Sequence, residues 1–262
     1  MEVFECIRKR RGIGCIAATL PNPIHYKDVP VPEEVLEKVL NAGRWAPSSV
    51  NSQPVEFIVV KDKDRLKQIR KLARAGWDVE CGWDALEQMG GEGGEARQNA
   101  WLDRWEKIAY DAPLMIIVAA DAEKRDTLAY SSSAFFSMAS DAACAAIMNI
   151  MLAARALDLG TVWLTFPNPY DLKTLLGIPK TLGIAGVIPI GYPTEWPEDV
   201  APLGPKNPAF WPRRPLDNMV HHGRFDADKW HKYRTLFTYG PVLGKDRYLE
   251  RYLEGLGDDP TP

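Results

Sequence analysis

The chain is poor in the residues that mark the common catalytic and metal chemistries. It has four histidines and four cysteines in 262 residues. Cys6, Cys15, Cys81 and Cys144 are scattered and none forms a CxxC pair, which argues against a zinc knuckle and a disulfide framework. Four reduced thiols fit a cytoplasmic location. His221 and His222 are adjacent and would face apart on a helix; with His231 they find no carboxylate at ligand spacing. There is no GxSxG nucleophile turn. The "GGEGG" at 90–94 follows no strand and lacks both the GKS/T ending and the GxGxxG spacing, so it reads as a flexible loop. Cys144 falls in a small-residue helix that reads as core. With no acid, base or nucleophile of the protein's own in view, the choice lies between no chemistry and chemistry done by a cofactor.

Charge and hydrophobic runs exclude further classes. The net charge is only -3, which gives no general reason to expect nucleic acid or an anionic membrane as partner. The most apolar run, "DAACAAIMNIMLAARAL", is interrupted by Asp141 and Arg155 and is too short to span a bilayer. The beginning, "MEVFECIRKRRG", has early acids and no apolar core of the kind a signal peptide needs. A composition of 46% apolar and 26% charged residues is that of an ordinary soluble globular protein.

The spacing of apolar residues predicts a helix over 2–11. Pro32 then opens a second helix, with Glu33 and Glu34 in its first turn and Val35, Leu36, Val39 and Leu40 as its stripe. "VEFIVV" is a strand, and "DKDRLKQIRKLARAG" a helix ended by Gly76. "APLMIIVAAD" is a buried strand, and a long helix rich in Ala, Ser and Met runs from about 131 to 157. "GTVWLTF" is a strand, "PYDLKTLLGIP" a short helix and "IAGVIPIGYP" another strand. Two amphipathic helices are expected near 226–237 and 245–255. Helices and strands mix without a steady βαβ period. We read one α+β domain over 1–220, carrying a Trp-rich insert at 77–110, and a helical C-terminal extension over 221–262.

Three polar features fit a cofactor. Arg10 and Arg11 end the first helix before the turn "RRGIG", where paired guanidiniums beside backbone N–H groups suit a phosphate; a solvated basic helix end is the plain alternative. "APSSVNSQP" sets short hydroxyl and amide side chains at a helix-to-strand corner, either to read a flat heterocycle or to cap and turn the chain. "FWPRRPLDNMVH" fixes Arg213 and Arg214 between prolines, or is a surface turn.

The order and spacing of these pieces resemble the nitroreductase family of FMN-dependent oxidoreductases. The resemblance rests on "IRKRRGIG", "RWAPSSVNSQPVEFIVV", "MLAARALDLGTVWLTF", "LLGIP", "VIPIGYP" and "RRPLDNMVH", and covers roughly residues 2–60 and 113–220. It implies a mixed, mainly antiparallel sheet flanked by helices, with the long small-residue helix central to a homodimer. It implies FMN at the dimer interface, held by Arg10, Arg11 and Gly12 at the phosphate and ring edge. Pro47, Ser48, Ser49 and Asn51 would reach the flavin from the neighbouring subunit. Backbone N–H groups of Leu164, Thr165 and Phe166 would meet the N5 and O4 edge, and Arg213 and Arg214 would close over the phosphate.

The implied reaction takes hydride from NADH or NADPH to the flavin and on to a flat small aromatic substrate, a nitroaromatic or a quinone. A specialised enzyme of the same fold (a dehalogenase, dehydrogenase or flavin-cannibalising enzyme) and a non-catalytic flavin-binding dimer are the alternatives. The sequence also departs from the family: Gly12 stands for a serine, Gly14 for a basic residue near the pyrimidine edge, and Val55 for a tryptophan. Segment 77–110, with Trp77, Trp83, Trp101 and Trp105, is either a lid over the flavin or a packing brace.

Overall fold

The computed structural model describes residues 1–13, 24–80, 110–121, 132–196, 216 and 219–227. Arg213, Arg214, Gly14, most of the Trp-rich insert and the two expected C-terminal helices lie outside the described residues.

Helix α1 (Val3–Lys9) starts where the Glu2 side chain accepts the Phe4 amide, and it carries Arg8 and Lys9 in its last turn, where the helix dipole favours cations. Helix α2 (Glu33–Arg44) has Pro32 as its N-cap and buries Leu36, Val39 and Gly43. A single 3-10 turn (Ser49–Asn51) leads into strand β1 (Val55–Val60). Helix α3 (Lys63–Glu80), strand β2 (Leu114–Asp121) and the long helix α4 (Ser132–Ala156) follow. The short strand β3 (Gly160–Thr161), helix α5 (Pro169–Leu176) and strand β4 (Leu182–Gly191) complete the body.

The strands form one sheet in the order β1-β2-β4-β3 with antiparallel ladders throughout. An isolated parallel bridge from Gly12 to Thr161 makes it mixed, as the fold class expects. Strand β2 is buried over Leu114–Ala120 because both of its faces are covered. Leu114, Ile116 and Val118 pack against α2 and α4; Met115 and Ile117 pack on the other face, against Leu66, Ile69 and Ala73 of α3 and Leu172 of α5. Each fully buried aliphatic side chain in these layers stabilises by about 1.5–3 kcal/mol. Beyond the ladder, residues 24–27 run along 192–194. Lys27 N–H donates to the Tyr192 carbonyl and Thr194 N–H to that of His25, both at 2.8 Å.

Two elements differ from the sequence reading. Helix α3 does not stop at Gly76 but continues to Glu80. The glycine is there for contact: a Cβ would lie 2.6 Å from Cγ of Pro167, so α3 presses on the segment before α5. The "GTVWLTF" run is a two-residue strand, then a break, then a one-residue bridge from Leu164 to Val187. On the other side of β4, beyond Val187, the β2–β4 register shifts so that Ala185 bulges out of the ladder. The Trp163 indole Nε1 donates to the Ala185 carbonyl at 3.1 Å and satisfies it.

Candidate functional site

The first part of the site is the turn after α1. Arg10 is the C-cap, already extended at φ -60 and ψ 124, and its amide donates to the Cys6 carbonyl. The Arg11 guanidinium turns back and donates from Nη1 to the carbonyls of Arg8 and Arg10. Arg11 therefore serves the end of its own helix, the plain alternative weighed for this pair, while Arg10 stands at the turn. Gly12 bridges to Thr161, and the Ile13 amide donates to the Thr161 carbonyl at 2.9 Å. The Ile13 carbonyl in turn accepts the Tyr26 hydroxyl at 3.3 Å. Two anchors thus fix the turn to β3 and to the segment beside 192–194.

Below the turn, the buried Cys6 thiol donates to the Leu152 carbonyl at 3.1 Å. Burial pushes its pKa above the usual 9.0, with Arg155 opposing. It is a packing thiol, not a nucleophile.

The second part follows β3. The Leu164 amide donates to the Val187 carbonyl at 3.0 Å and its carbonyl accepts the Val187 amide at 2.9 Å. This corrects one expectation: the Leu164 N–H is spent in the sheet and cannot serve a ligand. The amides of Thr165 and Phe166 find no acceptor among the described residues. Thr165 is exposed, whereas the Phe166 ring is buried with α3 and α5 and fixes the backbone there.

The third part is the corner from Pro47 to Gln53. The Ser48 hydroxyl accepts the Gln53 amide at 3.0 Å, and the Ser48 carbonyl accepts the Asn51 amide at 3.1 Å. Ser48 thus does turn work. The side chains of Ser49 and Asn51 make no hydrogen bond among the described residues, and Pro47 and Asn51 are exposed. Val50, Asn51 and Gln53 have φ of 47, 58 and 48. Such a conformation costs a β-branched residue about 1–2 kcal/mol, and such strain tends to gather at functional sites. The corner packs against α4, and Asn149 of α4 donates to the Ala42 carbonyl at 3.1 Å.

The structure brings Arg10–Gly12 and Thr165–Phe166 to the β3 edge of the sheet. It places the Pro47–Asn51 corner at the start of β1, the opposite edge. Three inter-strand spacings of about 4.8 Å put these edges about 14 Å apart. Tyr26, Thr161 and Trp163 build the first two parts, yet the sequence singled out none of them. Only the "GTVW" motif hinted at Trp163.

Comparison with known proteins places the fold. The model of the nitroreductase family matches residues 25–192. A protein of Methanothermobacter thermautotrophicus, named provisionally as an NADH dehydrogenase/NAD(P)H nitroreductase, is 30% identical over 202 residues, covering 75% of this chain and 80% of that protein. The iodotyrosine deiodinase of Thermotoga neapolitana is 27% identical over 187 residues, covering 70% and 87%. The crystal structure of a provisionally named nitroreductase of Desulfovibrio desulfuricans, in complex with FMN, superposes with a TM-score of 0.57. It is 25% identical and covers 86% of this chain and 99% of that one.

Proposed function

Since the chain belongs to the nitroreductase family, we propose that it is an FMN-dependent oxidoreductase. It takes hydride from NADH or NADPH and passes it to a flat oxidised molecule such as a nitroaromatic or quinone. The observation that carries this reading is the pair of amides, Thr165 and Phe166, that find no acceptor among the described residues and stand at the sheet edge that also carries Arg10. Two neighbouring N–H donors suit the acceptor-rich edge of a flavin, and a guanidinium suits its phosphate. The FMN bound to the Desulfovibrio relative supports the choice of cofactor.

When bound, FMN supplies the ring that accepts hydride and gives it up again. The chain's own groups do the holding. Arg10 and the Gly12 turn would hold the phosphate, and Arg213 and Arg214, outside the described residues, are proposed as further partners. The Thr165 and Phe166 amides orient one ring edge. Ser49 and Asn51 would read the other edge from a second copy of the chain, a reading supported by their place at the opposite edge of the sheet. On this reading the site is shared in a homodimer. The exposed apolar residues support that: Phe4 is 76% exposed and Trp45 75%, with Val3, Ile7 and Met148 also open. A second copy covers them.

A second reading within the family is reductive dehalogenation, favoured by the similarity to iodotyrosine deiodinase. One experiment addresses both. The full chain, purified, should be yellow with about one FMN per chain. Anaerobic addition of NADH or NADPH should bleach it, and menadione or a nitroarene should restore the colour. Slow reduction by either nucleotide, with chemically reduced protein reoxidised by an iodophenol, would select the dehalogenase. Protein that is colourless and takes up no FMN on soaking removes both. Arg10→Ala should weaken FMN binding, and a stable monomer by sedimentation at micromolar concentration would exclude the shared site.

A further inference from the structure

A separate concavity lies where α2 and α3 begin, beside the start of β2. Its volume is about 810 Å³, in the range of small-molecule sites. Its floor is apolar, with Tyr26, Val31, Leu66 and Leu114 all buried. Its rim carries five cations, Lys27, Lys61, Lys63, Lys67 and Arg70, against three carboxylates, Asp28, Glu33 and Asp111. The surplus is local. Residues 61–74 hold seven basic and two acidic side chains in a chain whose net charge is -3.

The pairing on the rim leaves cations over. Lys61 pairs with Glu33, and Arg70 with Asp111 at 2.9 Å. Lys63 and Asp28 stand 3.9 Å apart with side chains 88% and 92% exposed, a pair that water screens almost fully. Lys27 and Lys67 have no carboxylate partner among the described residues. Arg70 keeps its Nε donor buried and without an acceptor. Basic runs on a helix are commonly a solvated face. Here two uncompensated ammonium groups and a third, loosely paired one ring an apolar hollow.

We propose that this cleft binds a small molecule bearing phosphate. Lys27, Lys63 and Lys67 face the phosphate oxygens, and the apolar floor lies under the organic part. Phosphate fits better than a single carboxylate because a dianion matches the surplus, and lysine serves phosphate as a point charge. The proposal does not rest on the flavin reading.

The test is calorimetric titration of the full chain with adenosine diphosphate, inorganic pyrophosphate and adenosine. Binding of the two anions and not of adenosine is expected, weakening as sodium chloride rises. Lys63→Glu and Lys67→Glu, both at exposed positions, should each weaken binding at least tenfold while the melting temperature holds. Arg10→Ala should leave it unchanged. Tighter binding of adenosine diphosphate than of pyrophosphate supports the proposal; equal affinity keeps the lysine–phosphate contacts and overturns the role given to the apolar floor. No binding of either anion, affinity indifferent to both lysine variants, or binding lost in Arg10→Ala would overturn it. The last result would place the anion at the α1 turn.

Discussion

Strand β4 contains a matched pair of glycines that tests how the site loop is held. A Cβ at Gly186 would lie 2.5 Å from Nε1 and 2.7 Å from Cδ1 of Trp163. A Cβ at Gly183, three residues earlier, meets only the Ala120 carbonyl at 3.8 Å, an ordinary contact. Gly186→Ala must push the half-buried indole aside and so break its 3.1 Å hydrogen bond to the bulged Ala185 carbonyl. Leaving this half-buried acceptor unmade costs about 1–3 kcal/mol. Overpacking costs about 1–3 kcal/mol more, so the sum is about 2–6 kcal/mol. At about 2–4 °C per kcal/mol for a protein of this size, the melting temperature should fall by about 4–24 °C. Gly183→Ala should stay within about 0.5 kcal/mol. Urea and thermal denaturation of the two full-chain variants, followed by circular dichroism, give the comparison. On the flavin reading Gly186→Ala should also weaken FMN binding, because Trp163 directly precedes Leu164–Phe166. Equal costs at the two glycines, or a cost below about 0.5 kcal/mol at Gly186, would refute the claim that the indole contact sets this backbone.

Three further outcomes follow from single contacts. Val50→Asn should raise stability by about 1 kcal/mol, because asparagine tolerates the left-handed backbone and the exposed valine loses no packing; a lower thermal midpoint would contradict the strain. Trp196→Ala should cost about 2 kcal/mol and Trp196→Phe less than half of that, since the buried Arg155 guanidinium lies 3.4 Å from the Trp196 ring centroid; equal losses would refute the cation–π account. Cys6 keeps its proton in the fold at pH values where the unfolded chain releases it, so its contribution is whole below the usual 9.0 and is lost as pH rises beyond it. Urea midpoints across that range should fall less steeply in Cys6→Ala; parallel curves would reject the assignment.

The layers of the fold were legible because burial writes itself into composition. "VEFIVV" became β1 residue for residue, and the run expected at about 131–157 became α4 at Ser132–Ala156. A strand covered on both faces must be apolar at every position, and a helix packed closely on a sheet must use small residues at the contact. The failures came where a distant residue decided. Gly76 looked like a helix stop because glycine commonly is one, but the contact that requires it comes from Pro167, far away in sequence. "GTVWLTF" had a strand's composition, yet only Gly160–Thr161 and the single bridge at Leu164 pair with β4.

The site was legible as chemistry but not as geometry. A sequence shows that Ser48, Ser49 and Asn51 carry polar groups; it does not show that Gln53 claims the Ser48 hydroxyl while the side chains of Ser49 and Asn51 make no hydrogen bond among the described residues. The two arginines at 10 and 11 look equivalent in the sequence, and the chain turns one of them back onto the carbonyls of α1. Backbone amides are less visible still, since every residue but proline has one. Leu164, Thr165 and Phe166 differ only because Val187 takes the first. The strain at Val50 left no trace in the sequence, because valine is not a residue that signals a left-handed turn. On the proposed reading that strain bears on assembly. A corner held at a cost of about 1–2 kcal/mol leaves two side chains without a hydrogen bond among the described residues. The turn and amides that suit the same flavin stand at the far edge of the sheet. On the proposed reading, the cost is recovered only when a second copy sets its corner against that edge, so cofactor binding and dimer formation are one equilibrium and not two.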